Sequence, residues 1–493
     1  MLNNKQLSFC IVGSGTAGLI TSIVLRQAFP YSSIKNISSS KIGIVGVGEG
    51  STEHWRMFMD KCNIGIEDLI KNTGATHKYG IRFENWTNKR PDYFHSISGV
   101  EEINTWGIIG EYLSFIEQDK SITSQTGSVG LIKNKIVRDG LHGNTNQYHF
   151  DTFMLNDFLT GICFSRMIQF YDDEIKNINL TTSGCIESAE LVSGLRVEAD
   201  IWIDATGFKR ELMNRLNNKS WQSFSNYLLV DSAIAFPTEH DKSGTIKPYT
   251  RARAAGSGWM WEIPTQNRRG NGYVYSSSHI SGDAALLEAQ SMSGFAVPQI
   301  RQFKFDPGYY REQWQKNCVS VGLASSFVEP LEATSIGSTI IQAMNIAQYS
   351  ASYIPGCEKL VSDYNKKMEA VMLNIRDMIR LHYISDRKDT EFWKDANSMP
   401  IPDSLQNLLD AWSERPPAHS DIANNGSIMF LTRHFVHVAQ GQNLIATEPS
   451  SLVMDRMAIR SFIEKKSDNI RSSRYSKELV DHKEALMETV GED

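Results

Sequence analysis

The opening of the chain constrains its fold more than any other segment. Leu7 to Val12 reads as a buried strand that runs straight into Gly13-Ser14-Gly15-Thr16-Ala17-Gly18. Beyond that turn, Ile20, Ile23, Val24 and Ala28 recur at helical spacing. Strand, GxGxxG turn and amphipathic helix, in that order, form the setting in which a chain binds a dinucleotide, whereas the bare pattern also occurs in structural turns. Gly13 permits the tight turn, Gly15 lets backbone approach a pyrophosphate, and Gly18 lets helix and strand pack closely. The helix N-terminus, at Thr16 and Ala17, then offers its unpaired N–H groups to the phosphates.

One partner of this motif is missing. About twenty residues further on, an acid usually binds the adenosine ribose hydroxyls. Here the second strand, Ile34 to Ile37, ends in Ser38-Ser39-Ser40. Either Ser38 makes a neutral hydrogen bond to the ribose, or nucleotide affinity is reduced.

Three more segments read as strands that end in glycine turns. Lys41 to Val47 ends in Gly46-Val47-Gly48-Glu49-Gly50-Ser51-Thr52, Ala199 to Ala205 in Thr206-Gly207, and Asn317 to Val321 in Gly322-Leu323-Ala324. Four such strands imply one large α/β module around one extended ligand. Residues 250–281 alternate apolar and polar positions and read as antiparallel strands over a pocket. After about residue 338 helical spacing takes over through Arg387, broken at Pro355-Gly356. Pro400 to Pro417 reads as a loop, and residues 452–488 as charged amphipathic helices. The expected division is therefore 1–340 for the nucleotide module, with 100–150 contributing to a substrate lobe, and 341–493 for a mainly helical substrate module.

Composition removes several function classes. The 493 residues carry 50 basic and 56 acidic side chains, a net charge of −6, which argues against nucleic acid or an anionic membrane as partner. No run of 18 apolar residues is present, so no spanning helix is expected. The first apolar segment enters the glycine turn directly, which is expected to leave no room for a secretory leader. Cysteines at 10, 62, 163, 185, 318 and 357 form no CxxC pair and read as reduced thiols of a cytoplasmic protein. No His/Cys/acid cluster has metal-ligand spacing and no GxSxG elbow occurs, so neither a metal nor acyl transfer is expected. With one dinucleotide site visible, a flavoprotein reduced by another protein is favoured over a nicotinamide dehydrogenase.

Other segments carry a family resemblance. Gly258-Trp259-Met260-Trp261-Glu262-Ile263-Pro264 resembles the WxWxIP signature of flavin-dependent halogenases of the tryptophan halogenase family. The opening GSGTAG, VGVGEGST, Lys78 within KYGIRFENW, YHFDTFMLNDF, ADIWIDATGF, GNGYVYSS, NCVSVGLASSFVEPLEAT and LHYISDRKDTEFW look like family blocks in family order. The resemblance covers roughly residues 7–393.

What the resemblance implies is specific. The fold would be a Rossmann-like FAD-binding module of the flavin monooxygenase type, with an antiparallel sheet layer and a mainly helical C-terminal module. Reduced FAD, oxygen and a halide (chloride or bromide, with iodide allowed) would yield hypohalous acid, which crosses a tunnel to a separate aromatic site. Lys78 would deliver the halogen there, and Glu332 would orient Lys78 and receive or stabilise positive charge. Glu329 is the same residue type three positions earlier, but the family pattern selects Glu332. Thr334 and Ser335, where a helix begins, would offer N–H groups to the halide. Trp259, Trp261 and Pro330 would wall the tunnel, and His95 and Ile97 the aromatic pocket; a histidine satisfied by its own surroundings is the blander account of His95. A separate NAD(P)H-dependent flavin reductase is the implied partner, and a homo-oligomer is compatible with the family.

Two departures matter. Many tryptophan-specific relatives follow the glutamate with serine and threonine-glycine, where this chain has Ala333-Thr334-Ser335. The C-terminal region also does not reproduce the aromatic and acidic residues that clamp tryptophan in specific relatives. The expected substrate is thus an indole or phenol type other than tryptophan, or a broad set of indoles, free rather than carrier-bound. Two other classes share the flavin features: a monooxygenase that hydroxylates an aromatic ring directly, and a flavin-binding protein whose catalysis has lapsed.

Overall fold

A computed structural model of the chain describes residues 6–44, 46, 49–96, 133–137, 147–240, 244–295, 300–415, 417–422, 428–445 and 479–491. Phe9–Val12, buried at all four positions, lies inside a six-stranded sheet. Its parallel neighbours are Ile201–Asp204 and Ile34–Ser38, with Phe9 opposite both Ile201 and Ile34. Cys318–Ser320 and Gln169–Asp172 extend the sheet in parallel on either side, and Trp314–Gln315 closes one edge antiparallel. Strands covered on both faces must be apolar throughout, and this explains the unbroken run FCIV.

Helix Thr16–Ala28 packs its buried Leu19, Ile20, Ile23 and Val24 into the main core. Gly13 sits at φ +110°, and a Cβ there would lie 2.4 Å from Ala205 O. A Cβ on Gly18 would lie 2.0 Å from Gly13 O, so the first and third motif glycines are demanded by sterics.

A seven-stranded sheet lies beside this unit, in the order Arg301–Lys304, Ser232–Thr238, Arg269–Tyr275, Gly258–Pro264, Tyr249–Ala254, Gly80–Glu84, Asp92–Ser96. Its centre is the antiparallel pair of hairpins expected over 250–281. Tyr249–Ala254 also pairs in parallel with Gly80–Glu84, which sets the loop carrying Lys78 at the sheet's end.

The C-terminal part is mainly helical. Thr334–Ser350 packs against the motif helix, and Glu358–His382 follows after the break at Pro355-Gly356. The division expected between 340 and 341 falls inside helix Thr334–Ser350, and Ile20 and Ile23 share one continuous core with Ile340, Ile346 and Ile375. Among the described residues, no helix is long and apolar enough to cross a membrane.

Two sequence expectations need correction. The strand expected over Lys41 to Val47 is absent from its described start: residues 41–44 are turn and coil, with 41–43 exposed. Both edges of Ile34–Ser38 are already paired, with Phe9–Val12 and Gln169–Asp172, so the segment that follows does not pair with that strand. Pro400 to Pro417 is not a loop but contains helix Asp403–Glu414, with Pro402 at its N-cap and Leu405 and Trp412 buried. Proline is tolerated at a helix start, where the N–H it lacks would be unpaired anyway. Gly48, Ile97 and most of 100–150 and 452–488 lie outside the described residues, but His482–Val490 is helical as expected.

Because Gly18 faces backbone rather than a movable side chain, Gly18→Ala should lower stability by about 1–3 kcal/mol. Urea unfolding of the two proteins checks this; equal midpoints would refute the steric account.

Candidate active site

A cavity of about 460 Å³ runs between the two sheets. One end is lined by the Gly13–Ala17 turn and by Ser38 and Ser39, the other by Trp259, Trp261 and the Pro330–Ala333 segment. Of the residues expected to hold the cofactor, Gly13, Gly15, Thr16, Ala17, Ser38, Glu49, Gly207, Gly322 and Leu323 are on its wall.

The others serve elsewhere. Gly18 is spent on packing against Gly13. Ser51 O accepts from Lys78 Nζ, and Thr52 Oγ1 bonds His54 Nδ1. Ala324 is buried behind the wall. Asp204 must be corrected from a cofactor ligand to a structural cap. Its Oδ1 accepts from Thr206 N and Oγ1, and its Oδ2 from Leu212 N and Met213 N, which uses the carboxylate inside the fold.

The wall suits a dinucleotide. A Cβ on Gly15 would meet nothing within 4 Å, so backbone there faces open space. Gly15 caps the motif helix without a side-chain bond, which leaves the first-turn N–H groups available to phosphate. Glu49 Oε2 is out of solvent contact and lacks a hydrogen-bond partner, and burial pushes this carboxyl up to about 7. An orphaned polar atom facing a cavity is what a bound ligand would satisfy.

Lys78 is fully buried. Its ammonium donates to Ser51 O at 2.8 Å. Burial pushes it down to about 8, against the pull of Glu332. Lys78 is not on the cavity wall itself, but Gly50 is. A Cβ at Gly50 would lie 3.5 Å from Lys78 Nζ and 3.4 Å from Ala333 Cβ, so the lysine and the Glu332–Ala333 turn meet at this glycine.

That turn is conformationally unusual. Glu332 (φ 66°) and Ala333 (φ 54°) are both left-handed, immediately before helix Thr334–Ser350 begins. Non-glycine residues in this region cost about 1–3 kcal/mol each and persist where the surroundings hold them. The holding groups are visible here. His95 Nδ1 donates to Glu332 Oε2 at 2.7 Å and His382 Nε2 donates to Oε1 at 2.9 Å. Burial alone would raise the carboxyl, but His95 and His382 hold it well below the usual carboxylate range. Tyr93 OH meets His382 Nδ1 at 3.2 Å, and Gln442 Nε2 donates to both Tyr93 OH and His382 O. His95 Nε2 bonds His434 Nδ1 at 3.1 Å. His95 thus orders the glutamate rather than lining the cavity, whereas Glu332 and Pro330 are on the cavity wall.

Glu329 has a different setting. Its Oε2 accepts from Trp259 Nε1 and Tyr383 OH, both at 2.9 Å, while Oε1 is buried without a partner. Burial pushes it up to about 7 despite those bonds, so the two nearby glutamates are shifted in opposite directions. Trp259 and Trp261, on one strand face, both line the cavity. Ser335 is on the wall and Thr334 is buried beside it. Ala333, the N-cap, makes no side-chain cap bond, so the helix start keeps its N–H groups for an anion. Among the described residues, no group of histidines, cysteines and acids could hold a metal.

Sequence reasoning missed His382, Tyr383, Tyr93, Gln442 and His434. His382 and Tyr383 sit in the LHYISDRKDTEFW block, which carried resemblance but no assigned role. No local pattern marks the other three, because their partners are distant in the chain.

Comparisons with known proteins bear on the site. The family described as Tryptophan halogenase matches residues 8–458, further along the chain than the ordered sequence blocks. The 7-chloro-L-tryptophan 6-halogenase of Kutzneria sp. (strain 744) is 29% identical over 442 residues, 83% of this chain and 85% of the relative. The tryptophan 7-halogenase of Lentzea aerocolonigenes is 29% identical over 441 residues, covering 83% and 82%. A flavin-dependent halogenase from Xanthomonas campestris superposes with a TM-score of 0.89 at 29% identity, over 98% of this chain and 99% of the other. The tryptophan halogenase structure from Shewanella frigidimarina gives a TM-score of 0.91 at 26% identity, over 100% and 99%.

The Glu329 environment makes a pH prediction. A carboxyl raised to about 7 in the fold stays protonated while the unfolded chain ionises from about 4.5, so stability falls as pH rises between these values. In Glu329→Gln the amide oxygen still accepts from Trp259 and Tyr383, and no charge develops. Relative to the parent, this variant should gain about 1–3 kcal/mol between pH 4.5 and 7.5 by urea unfolding. Parallel pH profiles for the two proteins would overturn the assignment.

Proposed function

The chain belongs to the tryptophan halogenase family and is a flavin-dependent halogenase; on that premise we propose that Lys78 and Glu332 carry the halogen from the flavin cavity to an electron-rich aromatic ring. The observation that supports this reading is the meeting of Lys78 Nζ and the Glu332–Ala333 turn at Gly50, on the cavity wall. When bound, FAD reduced by a separate NAD(P)H-dependent flavin reductase would activate oxygen, which would oxidise the halide to hypohalous acid.

The chain's own residues do the rest. Backbone N–H groups at Thr334 and Ser335 would hold the halide at the uncapped helix start on the cavity wall. Trp259 and Trp261 wall the passage and keep the aromatic substrate from the flavin. Lys78 uses one N–H on Ser51 O and keeps others for the hypohalous oxygen, polarising the halogen. The ring carbon attacks the halogen: the carbon–halogen bond forms, the halogen–oxygen bond breaks, and the oxygen leaves as water with a proton from the Lys78 ammonium, which Glu332 restores once it has taken the ring proton. The ring proton then passes to Glu332, which His95 and His382 keep ionised and aimed. The substrate class is a small indole or phenol, not restricted to tryptophan, because the tryptophan-clamping residues of specific relatives are not reproduced in the C-terminal region.

The test is a panel of indoles and phenols with chloride, bromide or iodide, reduced FAD regenerated by a reductase, and mass spectrometry. Halogenated products are expected. Lys78→Ala should lower their yield by at least about 100-fold while FAD binding persists. Substrate turnover that survives Lys78→Ala would instead support direct hydroxylation, and no product with any halide would support a lapsed enzyme. Selective conversion of free tryptophan to one regioisomer would refute the substrate class.

A pH dependence follows from the lysine. The ammonium form dominates below about 8, so the halogenation rate should fall as pH rises through that value. Single-turnover rates with preformed hypohalous acid from pH 6.5 to 9.5 measure this, and a rate that climbs through pH 8 would contradict an ammonium donor.

A further inference from the structure

The missing acid at the end of the second strand has a counterpart on its neighbour. We propose that Glu174, at the end of the adjacent parallel strand, binds the adenosine ribose hydroxyls of FAD in place of that acid, an inference that rests on reading the cavity as the flavin site. In a dinucleotide fold the ribose lies at the carboxyl end of the second strand, beside the glycine turn. Here that position holds Ser38, paired in register with Asp172 of Gln169–Asp172. Asp173 N then donates to Ser38 O at 2.9 Å, so the chain beyond Asp172 runs alongside the serines. Ser39 Oγ donates to Glu174 Oε1 at 3.2 Å.

Ser38, Ser39 and Glu174 line the same cavity as Gly13 to Ala17. The two acids before Glu174 are committed to the backbone around them. Asp172 accepts from Ser40 N and Oγ, and Asp173 accepts from Glu174 N and Ser193 N. Glu174 is exposed at the cavity's rim, and its bond to Ser39 engages only one carboxylate oxygen. A ribose diol offers two donors, and a carboxylate is the acceptor that takes both. An acid reaching over from the next strand therefore supplies what the Ser38-Ser39-Ser40 run lacks.

The measurement is FAD affinity by flavin fluorescence titration of the full-length protein, without turnover. Glu174→Gln keeps an oxygen for Ser39 but removes the charge and one acceptor, and should raise the Kd for oxidised FAD about tenfold. Adding Ser38→Glu to that variant returns an acid to the second strand and should recover most of the affinity. An unchanged Kd in Glu174→Gln overturns the proposal, and so does a loss that Ser38→Glu does not recover, since that loss would come from the loop rather than the ribose. If the parent protein itself does not bind FAD, the flavin reading of the cavity fails first.

Discussion

The buried carboxylate of Glu332 is the interaction on which the arrangement of the site depends. An ion without solvent costs several kcal/mol unless its neighbours satisfy it, and losing one partner of a buried pair commonly costs about 3–5 kcal/mol. Here the partners come from distant parts of the chain. His95 lies on the edge strand Asp92–Ser96 of the seven-stranded sheet, and His382 ends the long helix Glu358–His382. The glutamate follows the nucleotide sheet and precedes helix Thr334–Ser350, so one carboxylate ties nucleotide module, antiparallel sheet and helical part together. The left-handed backbone at Glu332 and Ala333 is held by those bonds.

Around that anchor, burial sorts similar groups into different roles. Glu329 and Glu332 are three residues apart and both fully buried, yet one is pushed towards neutrality and the other held ionised. The difference lies in the donors: an indole and a phenol for Glu329, two imidazoles for Glu332. Lys78 shows the opposite balance, with burial weakening its charge while Glu332 supports it. Two titratable groups whose surroundings push them apart are a common basis for directed proton transfer.

Legibility differed along the chain for physical reasons. The glycine motif could be read because its demands are local: φ +110° at Gly13 and backbone contact at Gly18 depend on neighbours a few residues away. The strands at Ile201–Asp204 and Cys318–Ser320 were readable because doubly covered strands need continuous apolar runs. Lys41 to Val47 has the same apolar character, but its described residues 41–44 are turn and coil, since which strands pair is set by the fold and not by local sequence. Pro400 to Pro417 misled in the other direction, because prolines at both ends of a segment are compatible with a helix between them. Asp204 looked like a ligand because it ends a strand at a glycine turn, yet the following helix uses its Oδ2 and Thr206 its Oδ1.

By itself, the sequence determined that this chain forms a parallel nucleotide sheet with a glycine-lined turn, and by resemblance that Lys78 and Glu332 are the residues to watch. Those features rest on periodicity, on glycine sterics and on the order of motifs. Only the tertiary structure decided that Lys78 is buried, that Glu332 is ionised by His95 and His382, that Asp204 is turned inward, and that Glu174 stands where the second strand has no acid. Each of those depends on contacts between residues far apart in the chain: 237 positions separate His95 from Glu332, and 135 separate Ser39 from Glu174. Burial and charge pairing are set by what folding brings together, and local sequence carries no record of it.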